Sequence, residues 1–218
     1  MRQMRKTAIS RLAFITFLMI LLTFTIIHNT SFDERAVKSQ FYFSIDAVEK
    51  LYGFHDELDG MYYNQYFSNK ADVEEFLKPY LLESASEKVI DALYQSTEEE
   101  LIYGEDIQQY IKAARQNRKE TQNCKKVSYY SFISDSLLNP GLKLIPKNEL
   151  KLSEVGDQLV LHVNDYSVQF YEGDQYYSSQ HFSERGYPPS EKISFKMTFI
   201  EEENEWKMKE YRIETKNG

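Results

Sequence analysis

The sequence predicts an α+β fold, with an N-terminal transmembrane helix followed by a helical layer packed on an antiparallel β-meander. Three observations predict it. An apolar run without a charge covers Leu12–Ile27, apolar residues recur at three- and four-residue steps over 40–122, and the period becomes two over 125–215. Because the helices come first and the strands follow, the two types are segregated, as in α+β proteins.

The apolar run Leu12–Ile27 is suited to anchoring the chain in a membrane. At about 1.5 Å per residue it spans about 24 Å, and extension back to Ala8 gives about 30 Å, the thickness of a bilayer core. The extension includes Arg11, whose guanidinium can reach the interface from the helix end. We therefore predict a signal anchor over 12–27 and membrane contact through 8–27.

The charges around the run predict the orientation of the chain. Four basic residues and no acid precede the run: Arg2, Arg5, Lys6 and Arg11. Basic residues stay in the cytoplasm, so 1–11 is predicted to be a cytoplasmic tail and the C-terminal part to be extracellular, held at the cell membrane by a single pass. A cleaved signal peptide is the competing interpretation, although no small-x-small cleavage site follows the run.

Composition restricts the classes of partner and cofactor. Beyond residue 27 the chain has 22 basic and 34 acidic residues, and an acidic domain repels phosphates, which excludes nucleic acid as a partner. Cys124 is the only cysteine, so no intramolecular disulfide forms. No phosphate-binding glycine motif and no nucleophile motif occurs. We predict no cofactor and no metal site.

After a polar stalk over 28–39, a domain is predicted over 40–218, beginning with a helical part over 40–122. Its first apolar face runs from Phe41 to Leu58 and stops near Gly60, and the tyrosines at 62, 63 and 66 follow as a loop.

Capping patterns predict where the next helices begin and end. Asn69 followed by Asp72 predicts a helix that ends before Pro79. Ser84 with Glu87 predicts a second capped start. A third amphipathic pattern runs from Ile107 to Ala114.

Period-two patterns predict the β-sheet part over 125–215. Val127–Ile133 is rich in aromatic and β-branched residues, and the predicted strands are Leu150–Leu152, Gln158–Tyr171, Lys192–Ile200 and a return strand from Trp206. The return strand changes phase, which predicts a bulge near Lys209–Glu210. A loop over 172–191 separates the two longest strands, and loops of that length are functional or mobile.

Two segments carry a resemblance to a known class of protein. SNKADVEEFLKPYL (68–81) and the hairpin FIEEENEWKMKEYRI (199–213) resemble uncharacterised, membrane-anchored extracytoplasmic proteins of Gram-positive bacteria. The hairpin is also similar to the last two strands of NTF2-like or cystatin-like domains, which often end in an acidic turn followed by Trp-Lys. The resemblance covers 40–215 and implies a curved sheet wrapped around helices, with a cone-shaped pocket in some members. It implies no catalytic residues.

Candidate binding residues come from one strand and from the loop. His162 alternates with apolar neighbours on its strand, so it is either a structural histidine or the lining of an NTF2-like pocket. The sheet holds the ends of the loop in place, so the polar and aromatic side chains of the loop can contact a partner, and we predict contact residues there. They are Tyr176, Tyr177, His181, Phe182 and Arg185.

These patterns leave three hypotheses for function. The first is a non-enzymatic interaction module of the cell envelope, binding an envelope protein or a peptide through the 172–191 loop or the sheet face. The second is an enzyme that uses an NTF2-like pocket with His162 or an acid as the base. The third is a component of a secretion- or conjugation-type membrane assembly, which predicts a homo-oligomer.

Overall fold

Two long β-hairpins and the helix 34–52 dominate the fold. The computed structural model describes residues 34–96, 101–117, 129–172, 182–183 and 185–217. The chain divides into two compact units, 1–37 and 38–218. Both β-sheets belong to the second unit, and the predicted α+β class is confirmed.

The predicted membrane span 12–27 and the basic tail 1–11 lie outside the described residues. Among the residues that the structure does describe, no helix combines the length and the apolar character that crossing a bilayer requires.

The described helices and strands follow in chain order. The helices are α1 (34–52), α2 (Lys70–Leu77), α3 (Glu83–Leu93), α4 (Glu105–Asn117), α5 (Tyr130–Ile133) and α6 (Gly141–Leu144). The strands are β1 (His55–Leu58), β2 (Met61–Asn64), β3 (Tyr94–Ser96), β4 (Leu101–Tyr103), β5 (Lys151–Val155), β6 (Gln158–Gln169), β7 (Ser190–Glu202) and β8 (Glu205–Asn217).

The C-terminal strands form an antiparallel meander in the order β5-β6-β7-β8, here called the long sheet. Glu203 and Asn204 adopt φ values of 55° and 65°, which suits the two-residue turn between β7 and β8. Thr198 pairs with Glu210 and Phe199 with Met208, so Lys209 is an extra residue in β8. The bulge predicted near Lys209–Glu210 is confirmed.

The core face of the long sheet is covered by helices. On β7 the residues Ile193, Phe195, Met197 and Phe199 are buried, as their alternation predicts. The ring of Phe41 on α1 stacks on Phe195 with the centroids 5.2 Å apart. On α3, Lys88 donates to the carbonyl of Tyr211 and its ammonium lies 4.1 Å from that ring. Helices and sheet therefore share one core.

A second, four-stranded antiparallel sheet, here called the small sheet, has the order β1-β2-β4-β3. Its first hairpin turns at Asp59 and Gly60, which adopt φ values of 50° and 80°. An Asp-Gly pair at positive φ is typical of a type I′ hairpin turn. The prediction that Gly60 ends a helix was wrong, and so was the loop predicted at Tyr62 and Tyr63, which lie in β2.

Side chains of the small sheet end α1. Asn64 is buried, and its Nδ2 donates to the carbonyls of Lys50, Leu51 and Gly53 at 3.1, 2.8 and 3.0 Å. The hydroxyl of Tyr103 donates to the carbonyl of Leu51 at 2.8 Å. The last carbonyls of a helix need such partners. The helix therefore stops at residue 52, and His55 to Leu58, predicted as helical, form β1.

The division of the domain into a helical part 40–122 and a β-sheet part 125–215 was wrong in both halves, since the small sheet lies in the first and α5 and α6 in the second. Strands of three or four residues are too short to establish a period of two. Tyr129 and Ile133 are buried at a four-residue spacing, which is helical rather than alternating. Residues 34–39, predicted as stalk, are helical as well.

One capped start is confirmed and the other is wrong. The side chain of Asn69 accepts the amide of Asp72 at 3.0 Å, and α2 ends at Leu77, ahead of Pro79. Ser84 lies inside α3, whose cap position is Leu82, and its hydroxyl donates to the carbonyl of Lys209 at 2.7 Å. A tertiary contact thus uses the hydroxyl that the pattern assigned to a cap.

Candidate functional site

The outer face of the long sheet, opposite the helices, carries the strongest candidate site among the described residues. Lys192, Ser194, Lys196 and Thr198 of β7 point to this face, because their neighbours on the strand are in the core. A groove of about 340 Å³ lies on it. The residues that line it are apolar, hydroxyl-bearing and charged: Ser153, Val155, Val160, His162, Asn164, Ser194, Phe195, Lys196, Arg212 and Glu214.

His162 lies in this groove and outside the core. Its strand neighbours Leu161 and Val163 are buried, whereas the imidazole is half-buried on the opposite face. The core face that an NTF2-like pocket would use is occupied by the stacked rings of Phe41 and Phe195. His162 therefore faces away from the side on which an NTF2-like pocket would form. The residue lines an open groove instead.

Strand register brings three cations to His162. His162 pairs with Lys151 on β5 and with Lys196 on β7, and Lys196 pairs with Arg212 on β8. We call Lys151, His162, Lys196 and Arg212 the basic row. Neighbouring strands are about 4.8 Å apart, so the row extends about 14 Å across the sheet.

Ion pairs and hydrogen bonds surround the basic row. Lys216 lies 3.0 Å from Asp165, and this hydrogen-bonded cation holds the pKa of the Asp165 carboxyl below its usual value. Thr198 donates to Glu210 at 3.0 Å, and Lys207 lies 2.8 Å from Glu202. Several acids of this face therefore already have a hydrogen-bond or ion-pair partner.

The loop residues Phe182 and Arg185 lie together, away from the groove. The amide of Arg185 donates to the carbonyl of Phe182 at 3.1 Å, and its carbonyl accepts the amide of Tyr130. The half-buried ring of Phe182 lies 5.4 Å from the ring of Tyr187, edge to face. Phe182 therefore packs within the fold, whereas Arg185 is exposed.

An aromatic cluster ties this part of the loop to α1. The ring of Tyr129 stacks on Tyr52 at 5.2 Å and on Tyr110 at 4.5 Å, and the ring of Tyr187 lies 6.3 Å away. Burial raises the pKa of all four hydroxyls, and the charge of Arg185 partly opposes the rise. These phenols stay neutral at physiological pH and act as packing groups.

The other predicted contact residues, Tyr176, Tyr177 and His181, lie outside the described residues. The structure thus places Phe182 and Arg185 together and sets His162 apart from them. Within the described part of the chain, no group of three or more His, Cys, Asp or Glu side chains is arranged to hold a metal ion.

Lys151, Lys196 and Arg212 were missed as candidates. The alternation of β7 assigned Lys196 to the outer face, but the sequence does not state which residues of β5, β6 and β8 lie opposite it. The bulge at Lys209 also shifts the register before Arg212 is reached. The row could have been predicted by placing the bulge and the two hairpin turns correctly and then aligning the four strands.

Neither a protein-family model, nor a curated protein, nor a solved structure matches the chain. What supports a function is therefore the geometry of its own residues.

Proposed function

We propose that the protein is a non-enzymatic binding module, held outside the cell by a single membrane span over 8–27. What supports the span is the uncharged run Leu12–Ile27, preceded by basic residues and followed by an acidic domain. The domain binds an envelope protein or a peptide on the outer face of its long sheet.

The observation that carries the proposal is the contrast between the two faces of the long sheet. Helices pack on the core face, where Phe41 and Phe195 stack, and the cavity lined there by Val48, Val89 and Tyr211 has about 30 Å³, the space of one water molecule. The outer face holds an open groove with polar side chains. An open groove of this kind suits recognition of a surface or an extended segment better than chemistry that must exclude water.

We also propose that the domain is NTF2-like or cystatin-like in its C-terminal part. What supports this is a long antiparallel meander whose core face packs on helices, with a closing hairpin that carries Trp206 after an acidic turn. The small sheet between α1 and α4 is an addition to that pattern.

The anchor is tested by fractionation and by N-terminal sequencing of the mature chain. We expect the chain to stay in the membrane pellet through alkaline carbonate extraction and to retain its first residues. A variant that lacks 12–27 is the control and is expected in the soluble fraction. A mature form that begins shortly after residue 27 would show a cleaved signal peptide and refute the anchor.

The binding face is tested by photo-crosslinking in living cells with the full chain. A photoreactive residue in place of Ser194, in the groove, is expected to form a discrete adduct with one partner. The same residue in place of Glu75, exposed on α2, is the control and is expected to form none. If neither position gives an adduct and the purified chain hydrolyses wall or peptide material, the binding function is abandoned. An adduct with a second copy would favour the assembly hypothesis.

A further inference from the structure

The basic row is unusual in a chain of this charge. The chain has 34 acidic and 26 basic residues. The row nevertheless places three cations and a histidine directly opposite one another on four neighbouring strands. Among the described residues, Lys151 and Lys196 have no salt-bridge partner, and both are exposed. Two exposed ammonium groups without a salt bridge in the described part of the chain therefore flank a half-buried imidazole.

Arg212 forms an ion pair with a carboxylate of its own strand on this surface. Its Nη2 lies 2.8 Å from the carboxylate Oε1 of Glu214, and both side chains are well exposed. Exposed pairs of this kind contribute little to stability, so a carboxylate from another molecule can replace Glu214 at small cost. The pair is an internal example of the contact that a ligand carboxylate would make.

The groove beside the row suits a peptide main chain. Hydroxyl and amide side chains line it, from Ser153, Asn164 and Ser194, together with apolar contact from Val160. Lys151 and Lys196 stand two strands apart, about 10 Å. An extended segment in the polyproline II conformation rises about 9 Å over three residues and returns to the same face, so acids at every third position match this spacing.

We propose that the basic row binds an extended acidic segment of a protein partner, with one carboxylate on Lys151 and the carboxylate three residues further on between Lys196 and Arg212. This inference rests on the proposed binding function and names the chemistry of the ligand. Charge complementarity is the argument for this occupant.

The probe is a fluorescently labelled peptide of about seven residues with glutamate at every third position and serine between, which in the polyproline II conformation rises about 9 Å per repeat and keeps its glutamates on one face. Its glutamine analogue is the uncharged control. Binding to the purified full chain in detergent is followed by fluorescence anisotropy. We expect the acidic peptide to bind, the analogue not to bind, and the affinity to fall as salt rises from about 0.05 M to about 0.5 M.

The variant that tests the row is the double substitution Lys151→Glu and Lys196→Glu. Its matched control is Lys70→Glu with Lys78→Glu, which changes the net charge equally at exposed positions on α2. We expect the first to lower the affinity at least tenfold and the second to change it less than twofold. Urea unfolding followed by Trp206 fluorescence checks that both variants are folded.

Three outcomes would overturn the inference: no binding of the acidic peptide, equal loss in both double variants, or binding of inorganic polyphosphate in place of the peptide. The second would reduce the effect to net charge, and the third would assign the row to a phosphate polymer. Crosslinking at position 194 distinguishes these failures from failure of the proposed function. A protein adduct there would uphold the binding function while the acidic ligand is withdrawn.

Discussion

Glu191 of β7 is a fully buried carboxyl group whose ionisation opposes folding. Its exposed fraction is 0%, its Oε1 accepts a hydrogen bond from Nδ2 of Asn139 at 3.0 Å, and its Oε2 has no hydrogen-bond partner among the described residues. Burial raises the pKa of Glu191 from 4.5 to about 7. The native state therefore holds a proton that the unfolded chain releases.

The sign and the size of the effect on stability follow from this difference. Below about pH 4.5 both states are protonated and Glu191 carries no penalty. Between about pH 4.5 and 7 the free energy of unfolding falls by about 1.4 kcal/mol per pH unit, because only the native state keeps its proton. Above about pH 7 the loss is complete, at about 3 kcal/mol at most.

Glu191→Gln removes this titration and keeps an amide oxygen for Asn139. We expect the variant to gain about 2 to 3 kcal/mol relative to the natural chain on going from about pH 5 to about pH 8. Urea unfolding of the full chain, followed by fluorescence of the single tryptophan Trp206, measures both proteins at each pH. Glu154→Gln, at an exposed position on β5, is the control and should show no such gain. A stability difference that stays constant between the two pH values would refute a buried, proton-holding Glu191.

Three further substitutions test the fold by urea unfolding. Asn69→Ala removes the acceptor for the first turn of α2 and should lower the free energy of unfolding by about 1 kcal/mol, so no change would contradict the cap. Phe41→Ala should cost about 3 to 5 kcal/mol, whereas Phe43→Ala, 54% exposed, should cost less than about 0.5 kcal/mol. Gly141→Ala would place a Cβ 2.5 Å from Cδ1 of Ile193 and should cost about 1 to 3 kcal/mol, and a neutral result would show that α6 can shift.

The candidate site was only partly predictable. Alternation along β7 assigned Lys196 to the outer face, and His162 was selected from its own strand. Their meeting with Lys151 and Arg212 depends on register, which the two hairpin turns and the bulge at Lys209 set. The aromatic cluster around Tyr129 joins residues more than 50 positions apart, so no local pattern indicates it.

Local patterns along the chain were enough to predict the α+β class, the alternation of β7, the bulge near Lys209–Glu210 and the capped start at Asn69, because each leaves a signal within a few neighbouring residues. Tertiary structure decided where α1 ends and that the small sheet exists. The carbonyls at the end of α1 are satisfied by Asn64 and Tyr103, which arrive from a distant part of the chain. Local propensity did not predict that stop, since buried carbonyls take whichever donor the fold brings to them.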